Sequence, residues 1–139
     1  MRRVLFDSDV LLDILMSRQP FVIASARALS WATVPENEGF VAGHAITNIF
    51  YILRRKVGRD EAIDLITSIL QILRVASVTE TVIDTALKSS MADFEDAVTS
   101  AAAESSGAEA IVTRNGADYV KSPIPALSPD EFLGMQQAT

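Results

Sequence analysis

Short apolar runs, each followed by a longer stretch with apolar residues at helical spacing, constrain this chain most. Val4-Leu5-Phe6, Phe40-Val41-Ala42 and Ala110-Ile111-Val112 are too short for helices. They read as buried strands, and Val75 lies in a fourth, briefer one. Behind Phe6, the positions Val10, Leu11, Leu12, Ile14 and Leu15 predict a helix with Ser8 or Asp9 near its N-cap. Pro20 suits the first turn of a second helix, from Phe21 to about Ala32. Val34 to Gly39 reads as a loop. A third helix runs from Gly43-His44 to the cations Arg54, Arg55 and Lys56 and stops at Gly58. Asp60-Glu61 opens a fourth that carries on to Leu73, and Thr79 caps a fifth through Leu87. Asp93 to Asp96 opens a helix of small residues, and Ser128-Pro129-Asp130-Glu131 opens a last one ending at Met135. Strands alternating with helices argue for an α/β domain, here residues 1–139, with a parallel sheet of about four to five strands covered on both faces.

Composition narrows the function. Of 139 residues, 49% are apolar, enough to build a core. The net charge of −6 excludes a protein that simply coats nucleic acid, so any such contact needs a local patch or a bound cation. The chain has no cysteine and a single histidine, His44, which excludes disulfides, thiolate zinc sites and His-rich metal sites. Asp7, Asp9 and Asp13 interrupt the apolar start, and no run reaches membrane-spanning length. A soluble, unexported protein of the cytoplasm, without membrane contact, is expected.

The acids follow one grammar. Asp7 follows a strand, Asp93 and Asp96 start a helix, and Asp118 follows another strand by a few residues. In a parallel sheet, strand C-termini and the helix N-termini behind them share one edge, where ligands bind. Asp93 and Asp96 are three apart and share a helix face. Carboxylates brought together repel unless a cation sits between them or one takes a proton. Such hard oxygens suit Mg²⁺ or Mn²⁺. Each acid alone also has a plain structural reading, as a turn residue or a partner of the helix dipole.

Three segments then resemble the PIN-domain family, and more closely its VapC-type toxin ribonucleases. They are Val4 to Asp13, Asp93-Phe94-Glu95-Asp96-Ala97, and Ile111 to Tyr119, in the family's order. The resemblance implies a three-layer α/β/α sandwich, a metal-dependent ribonuclease for single-stranded or structured RNA, and a homodimer. For a toxin it also implies a small antitoxin covering the acidic edge. Carried over by position, Asp7, Asp96 and Asp118 match catalytic metal-binding acids, with Asp93 as an outer or alternative ligand. Thr113 and Asn115 match the polar residues beside the last acid, and Arg114 is the candidate RNA contact. Two departures stand out. Position 9 is usually Asn and here is Asp. The third helix usually carries a Thr followed three residues later by a Glu, and here Thr47 and Asn48 are the nearest polar residues. The loss of that anion predicts weaker metal affinity, which Asp9 or Asp93 would offset.

Other residues read more plainly. Arg54, Arg55, Lys56 and Arg59 suit a solvated helix end better than a phosphate contact. His44 suits a cap better than a general base, Trp31 and Phe21 suit the core or a dimer face, and Ser128 suits a cap. Two rival functions remain. One is a catalytically weakened PIN fold that only binds RNA or protein. The other is a phosphatase resembling the haloacid dehalogenases, with Asp7 as nucleophile and Asp9 as acid, although Lys88 and Lys121 are poorly placed for it.

Overall fold

A computed structural model describes residues 1–137. Its centre is β1 (Arg3–Phe6), in which Val4, Leu5 and Phe6 are fully buried. Burying side chains of this size is worth about 1.5–3 kcal/mol each, so the strand cannot lie at an edge. It is flanked by β2 (Glu38–Ala42) and β4 (Ala110–Val112), with Leu5 opposite both Phe40 and Ile111. With β3 (Arg74–Ala76) and β5 (Ala126–Leu127) they form a five-stranded sheet of order β3-β2-β1-β4-β5, parallel throughout. The α/β fold with a parallel sheet flanked by helices is as expected.

The strand order fixes the layers. The first two connections step from β1 to β2 to β3. They carry α1 (Ser8–Leu15), α2 (Val22–Ser30), α3 (Gly43–Val57) and α4 (Arg59–Ile69). The third connection, with α5 (Glu80–Leu87) and α6 (Phe94–Ser105), jumps back over β2 and β1 to β4. Parallel crossovers are right-handed, so reversing direction puts α5 and α6 on the opposite face. The last helix, α7 (Pro129–Gln137), packs on α2. The winding therefore reverses between β1 and β4, and the crevice beyond their C-terminal ends is the topological switch point.

Several local signals act as expected. Thr79 Oγ1 accepts from the Val82 N–H at 3.2 Å, and Ser128 and Glu131 form a reciprocal capping box at 3.0 and 2.9 Å. Gly58 ends α3 at φ +87°, a conformation that favours glycine. At Gly39 a side chain is excluded for another reason. A Cβ there would stand 2.6 Å from Leu73 Cδ2 and 2.8 Å from the Ala32 Cβ.

Some boundaries differ. The N-cap of α1 is Asp7 rather than Ser8 or Asp9, its carboxylate accepting the Ser8 N–H at 2.8 Å. Pro20 precedes α2 by two residues and follows a cis peptide bond. Helix α4 stops at Ile69, because the following turn must feed β3. Strand β2 begins at Glu38, since the Glu38 N–H is drawn into pairing by the Arg2 carbonyl at 2.7 Å. Of the expected domain, residues 138–139 lie outside the described range.

Helix α6 buries Ala97, Ala101, Ala102 and Ala103 together with Thr99 and Ser100, and packs against α5, β2, β3 and β4. Side chains this small let it approach the sheet closely and bring its N-terminus up to the switch point.

Candidate functional site

The crevice between β1 and β4 is built from the residues that leave each strand. The Asp7 N–H donates to the Val112 carbonyl at 2.9 Å, which locks the two strand ends together. Asp7 then caps α1 while its other oxygen turns toward β4. That oxygen, Oδ2, accepts from Thr113 Oγ1 at 2.9 Å and from the Tyr119 hydroxyl at 3.1 Å. The same phenol lies 3.4 Å from Asp96 Oδ1, in the first turn of α6. One buried hydroxyl thus joins carboxylates from two distant elements. Tyr119 is placed there by a 3-10 turn, Gly116–Tyr119, held by the Asp118 N–H donating to the Asn115 carbonyl at 2.9 Å.

Asp9 turns its carboxylate onto the loop after β4. Its Oδ1 accepts the Val10 N–H at 2.6 Å. Its Oδ2 accepts from the Arg114 N–H at 3.1 Å and from Asn115 Nδ2 at 3.0 Å, and lies 3.4 Å from Thr113 Oγ1, whose one proton goes to Asp7. Thr113 and Asn115 thereby sit beside the acids, as positioned by Asp9. Burial pushes the Asp9 carboxyl up to about 6, and the charge of Asp7 adds to the effect.

The Asp96 carboxyl is also raised to about 6, by burial first and then by Asp93, Asp7 and Asp118. Asp93 is the N-cap of α6, its Oδ1 accepting the Asp96 N–H at 3.0 Å. Asp118 is exposed and lines a shallow cleft of about 170 Å³ with Asp93 and Lys121. It acts on Asp96 through its charge. Among the described residues, no three acidic or histidine side chains lie close enough to ligate one ion together. Asp7 and Asp96 flank the Tyr119 hydroxyl, at 3.1 and 3.4 Å. Mg²⁺ binds through one or two carboxylates and keeps several waters, so this pair, crowded by like charge, fits it.

Three expected residues sit elsewhere. Arg114 points away from the crevice: its Nε and Nη2 donate to Asp13, and its guanidinium carbon lies 3.9 Å above the Phe21 ring. A contact with RNA would have to break that pair. Thr47 lines an apolar cleft with Phe50, Tyr51, Ile63 and Ile66. Asn48 does face α6, but its Nδ2 donates to Glu95 Oε1 at 2.7 Å. The acid absent from α3 is thus met by one from α6. His44 Nε2 lies 3.3 Å from the Glu95 carbonyl and 3.2 Å from Thr99 Oγ1, a packing role at the helix start.

Tyr119, Glu95 and Asp13 carry geometry that sequence reasoning did not assign. Tyr119 closes the third resembling segment, so its place beside Asp118 was the available signal. Asp13 and Glu95 have partners so far away in the chain that no local pattern marks them.

Comparison with known proteins follows the same line. No curated protein matches the chain. Among solved structures, VapBC2 from Rickettsia felis bound to a promoter DNA fragment matches at TM-score 0.72 and 10% identity, covering 91% of this chain and 98% of that one. VapC20 from Mycobacterium tuberculosis, a sarcin-ricin-loop-cleaving toxin, matches at TM-score 0.65 and 17% identity, covering 83% and 92%. PAE2754 from Pyrobaculum aerophilum matches at TM-score 0.64 and 19% identity, covering 99% and 91%. At such identities the likeness speaks for the fold. The sequence pattern of the PIN domain, however, matches residues 3–117, from β1 through the loop after β4 that builds the crevice. With that span matched and the acids gathered at its switch point, the chain belongs to the PIN-domain family.

Proposed function

We propose that this protein is a divalent-metal-dependent endoribonuclease that hydrolyses RNA phosphodiester bonds, acting as the toxin of a toxin–antitoxin pair. The observation that carries the reading is the Tyr119 hydroxyl shared by Asp7 and Asp96 at the switch point. Two carboxylates flanking one hydroxyl, with Asp96 raised to about 6 by burial and by Asp93, Asp7 and Asp118, suit a cation.

Asp7 and Asp96 would hold Mg²⁺ or Mn²⁺, with Asp118 as a further ligand and Asp93 as an outer or alternative one. When bound, such an ion polarises a phosphate oxygen and lowers the pKa of a water. The chain's own residues orient these groups. Thr113 and the Ser8 N–H fix the Asp7 carboxylate, and Asp9 holds the loop carrying Thr113 and Asn115. Asn115 is exposed at the rim, and the amide proton it does not give to Asp9 would meet an RNA phosphate or sugar. A net charge of −6 leaves the ion and a few such donors to attract a polyanion. The toxin role draws on the relatives, among them a toxin–antitoxin complex from Klebsiella pneumoniae. A small antitoxin over the acidic edge, a homodimer and a cytoplasmic site of action belong to the same reading.

The test is cleavage of a labelled mixed RNA pool. The expected result is Mg²⁺- or Mn²⁺-dependent cutting that chelator abolishes and that Asp7→Asn and Asp96→Asn each reduce at least about a hundredfold. Equal cutting by all three chains would overturn it. The engagement of Asn48 by Glu95 favours a second reading, a weakened PIN fold used for binding. RNA retention without any cleavage by the wild type would select it. The phosphatase alternative is disfavoured because both Asp9 oxygens accept hydrogen bonds from the chain. Trapping with beryllofluoride should leave Asp7 unmarked.

A further inference from the structure

Tyr119 departs from an ordinary core tyrosine. The residue is 2% exposed and belongs to the hydrophobic core, yet its hydroxyl lies between Asp7 and Asp96. A phenol is a donor at neutral pH.

The acceptor inventory gives that donor a consequence. A carboxylate offers about four lone-pair positions, two on each oxygen. On Asp7, the Ser8 N–H takes one position on Oδ1 at 2.8 Å. Thr113 at 2.9 Å and Tyr119 at 3.1 Å take both on Oδ2. About one position is left, on Oδ1. A carboxylate engaged in this way can offer an ion one oxygen but cannot turn both upon it. Mg²⁺ and Mn²⁺ tolerate that, because they take few protein oxygens and fill the rest of an octahedron with water. Ca²⁺ prefers more oxygens and gains from bidentate carboxylates.

We infer that Tyr119 is a positioning residue that sets which cation the site accepts, favouring Mg²⁺ and Mn²⁺ over Ca²⁺ by denying Asp7 a two-oxygen grip. The inference rests on the reading of Asp7 and Asp96 as cation ligands. The plainer role for the phenol is to satisfy its own buried hydroxyl. That role predicts no change in selectivity when the hydroxyl is removed.

The test uses the whole chain without RNA and titrates Mn²⁺ and Ca²⁺ by calorimetry. Tyr119→Phe keeps the ring and removes the donor. The ratio of Ca²⁺ to Mn²⁺ affinity should rise by about fivefold, reflecting one added hard-oxygen contact. Thr113→Val removes the other donor to the same oxygen and should shift the ratio in the same direction. It carries the test if melting curves show that Tyr119→Phe does not fold. An unchanged or falling ratio in the folded variants overturns the inference. Asp7→Asn and Asp96→Asn separate the two levels. If neither weakens Mn²⁺ binding, the metal-site reading fails and takes this inference with it. If both do and the ratio stays put, the role of Tyr119 alone is refuted.

Discussion

The guanidinium of Arg114 grips both oxygens of Asp13, Nε to Oδ2 at 2.7 Å and Nη2 to Oδ1 at 3.1 Å. Asp13 is wholly buried in α1, and Arg114 lies just beyond β4. The pair staples the loop after β4 to the first helix, which keeps the Arg114 N–H and Asn115 on Asp9. Arg18 at 4.0 Å and Ser25 at 3.3 Å are the remaining partners of Asp13.

Arg114→Ala leaves that carboxylate without its main counter-charge. Breaking one side of a buried pair costs about 3–5 kcal/mol, and the lower end applies here because Arg18 and Ser25 remain. Urea denaturation should show a loss of about 3 kcal/mol. Arg114→Lys should recover little, because an ammonium cannot make the planar two-bond grip. A loss under about 1 kcal/mol for the alanine variant would mean the staple is not a stabilising contact.

Asp7 serves both the helix and the proposed chemistry, and substitutions separate the two. Asn is as good an N-cap as Asp, while Ala costs about 1 kcal/mol at such a position. Asp7→Asn keeps an acceptor for the Ser8 N–H, and should abolish metal-dependent cleavage while losing less stability than Asp7→Ala. Asp7→Ala should lose both activity and stability. If the asparagine variant cleaves RNA normally, Asp7 is a cap alone.

The acids at the switch point set a pH dependence. Asp9 and Asp96 are both raised from 3.8 to about 6. The folded protein therefore holds protons between those values that the unfolded chain has released. Their contribution to stability is largest near pH 4 and lost as pH rises through about 6. Glu109 and Glu131 are shifted downward and act in the opposite sense, at and below the ordinary glutamate range. Melting in chelator should show the metal-free protein gaining stability from pH 6.5 to 5, with a smaller gain in Asp9→Asn. An identical slope in the variant would contradict the burial of Asp9 as the cause.

Restoring an acid on α3 meets an obstacle in Glu95. Asn48→Glu sets a second carboxylate where a 2.7 Å hydrogen bond now lies, so the two repel. Pairing it with Glu95→Gln keeps one charge and rebuilds the bond in reverse. Asn48→Glu adds an anion and should bind Mn²⁺ more tightly than the double variant, whose charge equals that of the wild type, measured by calorimetry. Equal affinities would place this edge outside the influence of the ion.

Legibility follows the range of the forces involved. The strand at Val4 to Phe6, the Gly58 stop and the caps at Thr79 and Ser128 depend on neighbours in the chain, and the sequence displays them. Strand β5 was hidden among Pro123 and Pro125. Its two residues are strand only because Ile111 and Val112 pair with Ala126 and Leu127. Asp13 reads as one more polar break in an apolar run, and nothing nearby announces a partner in Arg114. Asp7, Asp93 and Asp96 were legible as candidates because the parallel topology sends them to one edge. Their spacing and the bridging phenol depend on how closely α6 docks, which only packing decides.

The thinness of α6 acts as a gauge for the acidic edge. Its inward alanines set how near the rod of the helix lies to the sheet, and through that how far Asp96 stands from Asp7. A bulkier side chain at Ala102 would be welcome to an oily interior, yet it would lift the rod and part the two acids. Drift along this helix is therefore limited by girth more than by greasiness, and a variant that stays well folded can still part its two acids.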